Sequence, residues 1–251
     1  MEPSKPAFSK VPEITLMFWI IKIAATTLGE TGGDAVSMSM DLGYLLSTVI
    51  FAFIFFVSVI VQVKMKAFHP VIYWMTIIAT TTVGTTLADF ADRSLGIGYT
   101  GGSAILLTLL LGSLTMWYLA MGSISINTVN NVKAEVFYWL TIMFSQTLGT
   151  ALGDWMSDSM KLGYGGAAII FGLLLILLAS FYFWTTISRV FVFWAAFILT
   201  RPLGAVVGDF LDKPLENGGL NLSRYNASLA LFTFIIVCVY AFPQRAAKSG
   251  H

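Results

Sequence analysis

The sequence predicts an all-α membrane protein with eight transmembrane helices. They are laid out as four tandem parallel helical hairpins, in a pseudo-fourfold or two-plus-two bundle. Three observations predict it. First, 57% of the 251 residues are hydrophobic and only 11% are charged, against about 25% charged in a soluble domain. Mean hydropathy is +0.82. Second, the apolar residues form eight continuous runs. Each holds about 20 residues or more, enough for a helix to cross a ~30 Å hydrocarbon core. Alternation, the mark of a membrane β-barrel, is missing. Third, one phrase occurs four times: a tryptophan, a glycine ten residues on, then a small residue and an aspartate four and five residues further. The copies are Trp19/Gly29/Gly33/Asp34, Trp74/Gly84/Ala88/Asp89, Trp139/Gly149/Gly153/Asp154 and Trp194/Gly204/Gly208/Asp209. Identical spacing in four copies signals duplication of one unit.

The elements follow in order. Residues 1–12 read as a polar cytoplasmic tail, not as a cleavable signal. Repeat 1 (13–66) holds runs 13–36 and 43–63, and repeat 2 (67–122) holds 70–92 and 99–121. A polar linker, 123–134, contains Asn127, Asn130 and Asn131 and divides the chain into halves. Repeat 3 (135–187) holds 135–157 and 164–186; repeat 4 (188–242) holds 189–212 and 224–242; a tail, 243–251, follows. Tyr44, Tyr99 and Tyr164 open the even runs after a glycine, and repeat 4 departs with Gly219-Leu220-Asn221. Two spans per repeat make every copy enter the membrane in the same direction.

Basic residues set the orientation. Lys5, Lys10, Lys64, Lys66, Lys133, Arg189, Arg245 and Lys248 lie on the side of the termini; Arg93, Lys161, Lys213 and Arg224 lie on the other. The excess puts both termini in the cytoplasm. All eight aspartates fall on the opposite side. They predict an acidic outer mouth, with Asp92, Asp158 and Asp212 at its rim. The four repeat tryptophans are expected at the interface or facing lipid.

Each repeat carries two carboxylates a helical turn apart: Glu30/Asp34, Asp89/Asp92, Asp154/Asp158 and Asp209/Asp212. Like charges at this spacing repel, and a helix C-terminus disfavours anions. A bound cation, a proton or a basic partner must offset both effects. The inner acids Glu30, Asp34, Asp89, Asp154 and Asp209, with Thr27, Thr82 and Thr147, form the candidate cation site, because hard cations take carboxylate, carbonyl and hydroxyl oxygen. The other reading gives the acids loop-capping roles or Arg93, Lys161 and Lys213 as partners. A polar stripe (Thr26 with Glu30, Thr81 with Thr85, Gln146 with Thr150) runs along the same helix faces. The small residues let helix backbones approach closely, whatever else they do. Three charges break the repeat symmetry: Lys22, Glu30 and Arg201, the last followed by Pro202. Buried in hydrocarbon they must face inward and pair. Arg201 with Glu30 is the expected pair, and Lys22 and Arg201 are candidate coupling charges or members of a structural ion pair.

Net charge +1 gives no reason to expect nucleic acid. Cys238 stands alone, and two histidines, His69 and His251, are too few for a histidine metal site. No nucleophile–base set marks an enzyme. No cofactor is expected beyond a divalent cation as substrate or ligand, and the partners are membrane lipids and that cation.

From Val11-Pro12-Glu13 through Thr27-Leu28-Gly29-Glu30-Thr31-Gly32-Gly33-Asp34 to the fourth repeat, the chain resembles a family of uncharacterised bacterial repeat-containing membrane-anchored proteins. The resemblance implies a multi-span protein of the bacterial inner membrane and assigns no activity. Glu30-Thr31-Gly32-Gly33-Asp34 is also similar to the Glu-x-Gly-Asp-Lys/Arg-Thr/Ser motif of a Ca²⁺/Mn²⁺–proton exchanger family. One extra residue separates Glu from Asp here, and no Lys-Thr follows, so the likeness implies acid chemistry alone. The functional expectation is a cation transporter, for a divalent metal such as Mn²⁺ and with protons as the candidate coupling ion. The alternative is a non-transporting membrane sensor or accessory protein. An anion carrier using Lys22 and Arg201 is a third reading, opposed by the field of the aspartates.

Overall fold

The computed structural model describes residues 9–247; Lys5, Lys248 and His251 lie outside the described residues. The helices are α1 Leu16–Asp34, α2 Gly43–Lys64, α3 Pro70–Asp89, α4 Tyr99–Met121, α5 Val132–Asp154, α6 Gly163–Trp184, α7 Arg189–Asp212 and α8 Arg224–Ala241. Among the described residues there is no β-strand, only an isolated bridge between Pro12 and Ala246. The odd helices begin at side-chain caps. Thr15 Oγ1 accepts from the Phe18 amide (3.2 Å) and Asn131 Oδ1 from the Ala134 amide (3.0 Å), while α3 opens on Pro70. The Gly-Tyr signature that opens the even runs has a backbone cause. Gly43, Gly98 and Gly163 take φ of 71°, 76° and 66°, a region that a side chain disfavours.

Helices α1, α3 and α5 pass, directly after their repeat aspartates, into single π-helical turns: Ala35–Ser39, Phe90–Ser94 and Trp155–Ser159. Wide turns of this kind concentrate at functional sites. Helix α7 has none; its chain continues through Lys213 to a short 3₁₀ turn, Leu215–Asn217.

The odd helices close a ring: α1 packs on α3, α3 on α5, α5 on α7 and α7 on α1. The even helices surround it. Here the packing differs from the expected hairpins. Each even helix lies on the first helix of the following repeat: α2 on α3, α4 on α5, α6 on α7 and α8 on α1. The glycines explain the ring. A Cβ on Gly29 would overlap Thr81, one on Gly149 would overlap Arg201, and one on Gly204 would overlap Thr26. One on Gly84 would sit 3.0 Å from Gln146. In every repeat the glycine receives the side chain three residues before the glycine of the next, and close backbone approach needs small residues.

Among the described residues six helices are long and apolar enough to cross a membrane: α2, α3 with its π turn, α4, α6, α7 and α8. Helices α1 and α5, of 19 and 23 residues, are not among them. The outer helices present apolar side chains outward, such as Phe53, Leu119 and Phe183. Only 11% of the apolar window of α2 is buried, against 72% for α3.

The ends of the odd helices near the termini meet in a ring of aromatic pairs. Phe18 pairs with Trp74 (5.4 Å between centroids), Tyr73 with Trp139 (5.8 Å), Tyr138 with Trp194 (6.2 Å) and Phe193 with Trp19 (6.0 Å). This corrects the expected lipid-facing role. Trp74, Trp139 and Trp194 are buried, and Trp194 Nε1 donates to Ile124 O at 2.9 Å. The hydroxyls of Tyr73 and Tyr138 bond at 2.7 Å within the ring. The N-terminal segment crosses this end of the bundle: Lys10 N donates to Val129 O (2.9 Å), and Lys10 Nζ pairs with buried Glu135 (2.6 Å).

Candidate functional site

Because the four odd helices share one spacing, equivalent residues stack in layers. The layer beyond the aromatic ring holds Lys22, Ile77, Ile142 and Phe197, all fully buried. Lys22 Nζ lies 3.4 Å from Thr200 Oγ1 and 4.0 Å above the Phe197 ring. One turn on come Thr26, Thr81, Gln146 and Arg201, also fully buried. The next turn brings Glu30, Thr85, Thr150 and Ala205. Here Arg201 Nη2 donates to Glu30 Oε2 (2.9 Å), Thr85 Oγ1 (2.6 Å) and Thr150 Oγ1. Residues from all four repeats meet at this one nitrogen. The expected pair, Arg201 with Glu30, is therefore present, and Lys22 is no part of it.

The last layer is the four repeat aspartates, each no more than 2% exposed. They are bridged in twos. Arg93 reaches Asp89 (2.9 Å) and Asp154 (3.2 Å). Lys213 reaches Asp209 (3.0 Å) and Asp34. Arg224 pairs with Asp212 (3.1 Å) and stands 3.9 Å from Asp34. Burial on its own would favour the neutral form of Lys213, but Asp209, Asp34 and Asp212 outweigh it and hold the ammonium above the ordinary lysine range. Among the described residues two carboxylate clusters have oxygens within 4.8 Å of one another: Glu30, Asp34 and Asp89, and Asp34, Asp209 and Asp212. Their oxygens are the donors a hard cation takes.

Several expected placements need correction. Among the described residues Thr27, Thr82 and Thr147 make no hydrogen bond to the acids. Their hydroxyls donate to carbonyls of their own helices, at Ile23 (3.0 Å), Ile78 (2.8 Å) and Met143 (3.0 Å), the usual refuge of a helical threonine. Thr85 and Thr150 stand beside Glu30 instead. The signal was available in their spacing: each follows a repeat glycine directly, as Glu30 does. The cavity at this end does not show the expected acidic lining. A cavity of about 730 Å³ opens above the aspartates, lined by Arg93, Lys161, Lys213 and Arg224 and by one carboxylate, Asp158. Asp92 and Asp212 are buried rather than at the rim. Arg93 and Lys213 pair with inner acids, and each stands four residues after a repeat aspartate.

These placements predict a contrast. Thr82→Val should change stability by no more than about 0.5 kcal/mol, since only a local bond is lost. Thr85→Val removes a partner of buried Arg201 and should destabilise by about 1–3 kcal/mol. Thermal unfolding of the two variants in detergent checks the difference.

No curated protein and no solved structure matches the chain. A family model matches it in four tandem stretches, residues 17–68, 72–123, 137–188 and 192–245. These coincide with the four copies of the tryptophan–glycine–aspartate phrase, in keeping with the resemblance to an uncharacterised repeat-containing family. With most of its length so matched, the chain belongs to the family described as Repeat of Unknown Function (DUF347).

Proposed function

We propose that the chain is a cation transporter of the bacterial inner membrane, carrying a divalent metal such as Mn²⁺ with protons as the coupling ion. In this reading all eight helices span the bilayer, each repeat runs as a hairpin along the chain, and both termini are cytoplasmic. Helices α1 and α5 cross inside the shelter of their apolar neighbours. The observation that carries the reading is a surplus of buried negative charge. Glu30, Asp34, Asp89, Asp154, Asp209 and Asp212 are met by four basic groups, Arg93, Arg201, Lys213 and Arg224. One divalent ion, or two protons, would neutralise the remainder. Lys213 and Arg93 also line the cavity, so each can swing outward as a cation takes its place between the aspartates.

The test is thermal stabilisation of the purified protein by Mn²⁺, Mg²⁺, Ca²⁺ and Na⁺. At 100 times its dissociation constant, a ligand of the folded state adds about 2.7 kcal/mol. Asp34→Asn and Asp89→Asn should abolish the Mn²⁺ response and the flux of Mn²⁺ into liposomes. Binding and flux that survive both substitutions would sink the proposal. One observation favours the second reading, a sensor or accessory protein: every repeat aspartate already has a basic partner. Stabilisation by metal without flux would select it.

A further inference from the structure

Toward the termini from the acids lies a second polar cluster of opposite character. Lys22, Thr81, Gln146 and Arg201 are each fully buried. Arg201 spends only Nη2 on Glu30 and the threonines. Its Nε and Nη1, both amide atoms of Gln146 and the Thr81 hydroxyl have no hydrogen-bond partner among the described residues. Lys22 meets the Thr200 hydroxyl and the Phe197 ring, and no carboxylate among the described residues.

The repeat geometry brings three of these groups to one height, with Lys22 one turn away. Thr81, Gln146 and Arg201 hold the same position in repeats 2, 3 and 4, each seated on the glycine of the preceding repeat: Gly29, Gly84 and Gly149. Lys22 comes one helical turn below Thr26, the equivalent residue of repeat 1, and so shares its face. Guanidinium, ammonium, amide and hydroxyl N–H and O–H groups dominate. Buried donors without acceptors are destabilising, and a buried charge needs a counter-charge. Glu30 offsets the charge of Arg201, so an ammonium held on Lys22 by a bound anion leaves one charge to balance.

We propose that this cluster is an anion site. A small monovalent anion of halide size sits between Lys22 and Arg201, and Gln146 Nε2 and Thr81 Oγ1 donate to it. The residual single charge sets the valence. The walls Ile77, Ile142 and Phe197 are fully buried and apolar, which disfavours an anion that keeps its hydration shell. The site adjoins the acids assigned to the cation through the Arg201–Glu30 pair, but its test does not depend on that assignment.

The experiment uses the full chain, purified in a gluconate buffer and titrated with chloride or bromide at a fixed metal concentration. Both halides should raise the unfolding temperature saturably, where further gluconate does not. Bromide soaked into crystals should give an anomalous peak between Lys22 and Arg201. Lys22→Met should weaken the half-saturating chloride concentration by about tenfold or more. Gln146→Glu, which keeps shape but brings negative charge, should remove the halide response. A parent protein indifferent to halide, with water alone refined in the cluster, overturns the proposal; so does a halide response that both variants retain. The Mn²⁺ response, read on the same samples in gluconate alone, reports separately on the cation reading.

Discussion

Glu30→Ala is expected to destabilise the protein by about 3–5 kcal/mol, the range for removing one partner of a buried ion pair. Arg201 is fully buried, and Glu30 is its carboxylate partner at 2.9 Å. Thr85 and Thr150 also accept from its Nη2, but hydroxyls cannot neutralise a guanidinium. The loss would therefore come mostly from the stranded cation, not from the missing bond. That account has a corollary. Arg201→Met in the Glu30→Ala background should restore much of the stability, because it removes the uncompensated charge. The four proteins form a double-mutant cycle, read by unfolding in detergent. A Glu30→Ala protein within about 0.5 kcal/mol of its parent would show that the pair is not the keystone of the axis.

Gly204→Ala is expected to cost about 1–3 kcal/mol, by overpacking. Its Cβ would overlap the Thr26 side chain and lie 2.9 Å from the Thr26 backbone carbon. Backbone cannot turn aside as a side chain can, so α7 and α1 must separate. That contact closes the ring between the last repeat and the first. Gly32→Ala is the matched control. Nothing stands nearer than 3.9 Å to its Cβ, and the gain in helix propensity should stabilise by up to about 1 kcal/mol. Unfolding temperatures moving in opposite directions would support the packing argument; a shared direction would refute it.

Much of this architecture was legible in the residues. The fourfold phrase gave the repeats, and the three unmatched charges gave the Arg201 pair with Glu30, because a buried charge must find a partner and few were on offer. Hydropathy misplaced the tryptophans. A ring near a helix end is apolar whether it meets lipid or another ring, and only tertiary packing separates the two. Thr27, Thr82 and Thr147 were chosen for the hydroxyl oxygen a hard cation takes, although the face shared with Glu30 belongs to Thr26 and, in the neighbours, to Thr85 and Thr150. Counting aspartates on one side suggested an acidic entrance. The count was right, but burial lies outside any count: the short aspartates point into the bundle while Arg93, Lys213 and Arg224 close over them. The offset packing of α2, α4, α6 and α8 was invisible, since the two helices of one repeat were paired with each other, whereas α2, α4 and α6 pack on the next helix along the chain instead.

That offset has an evolutionary meaning. A unit whose second helix rests on the next unit cannot bury its own surface. Four separate copies would do so only as a swapped, closed homotetramer. In such an assembly any charge on the axis comes in fours, and four arginines or four glutamates would repel one another out of the bilayer. Tying the copies into one polypeptide lifts that restriction. A single lysine, a single glutamate and a single arginine can then share the centre, which no assembly of identical subunits could arrange.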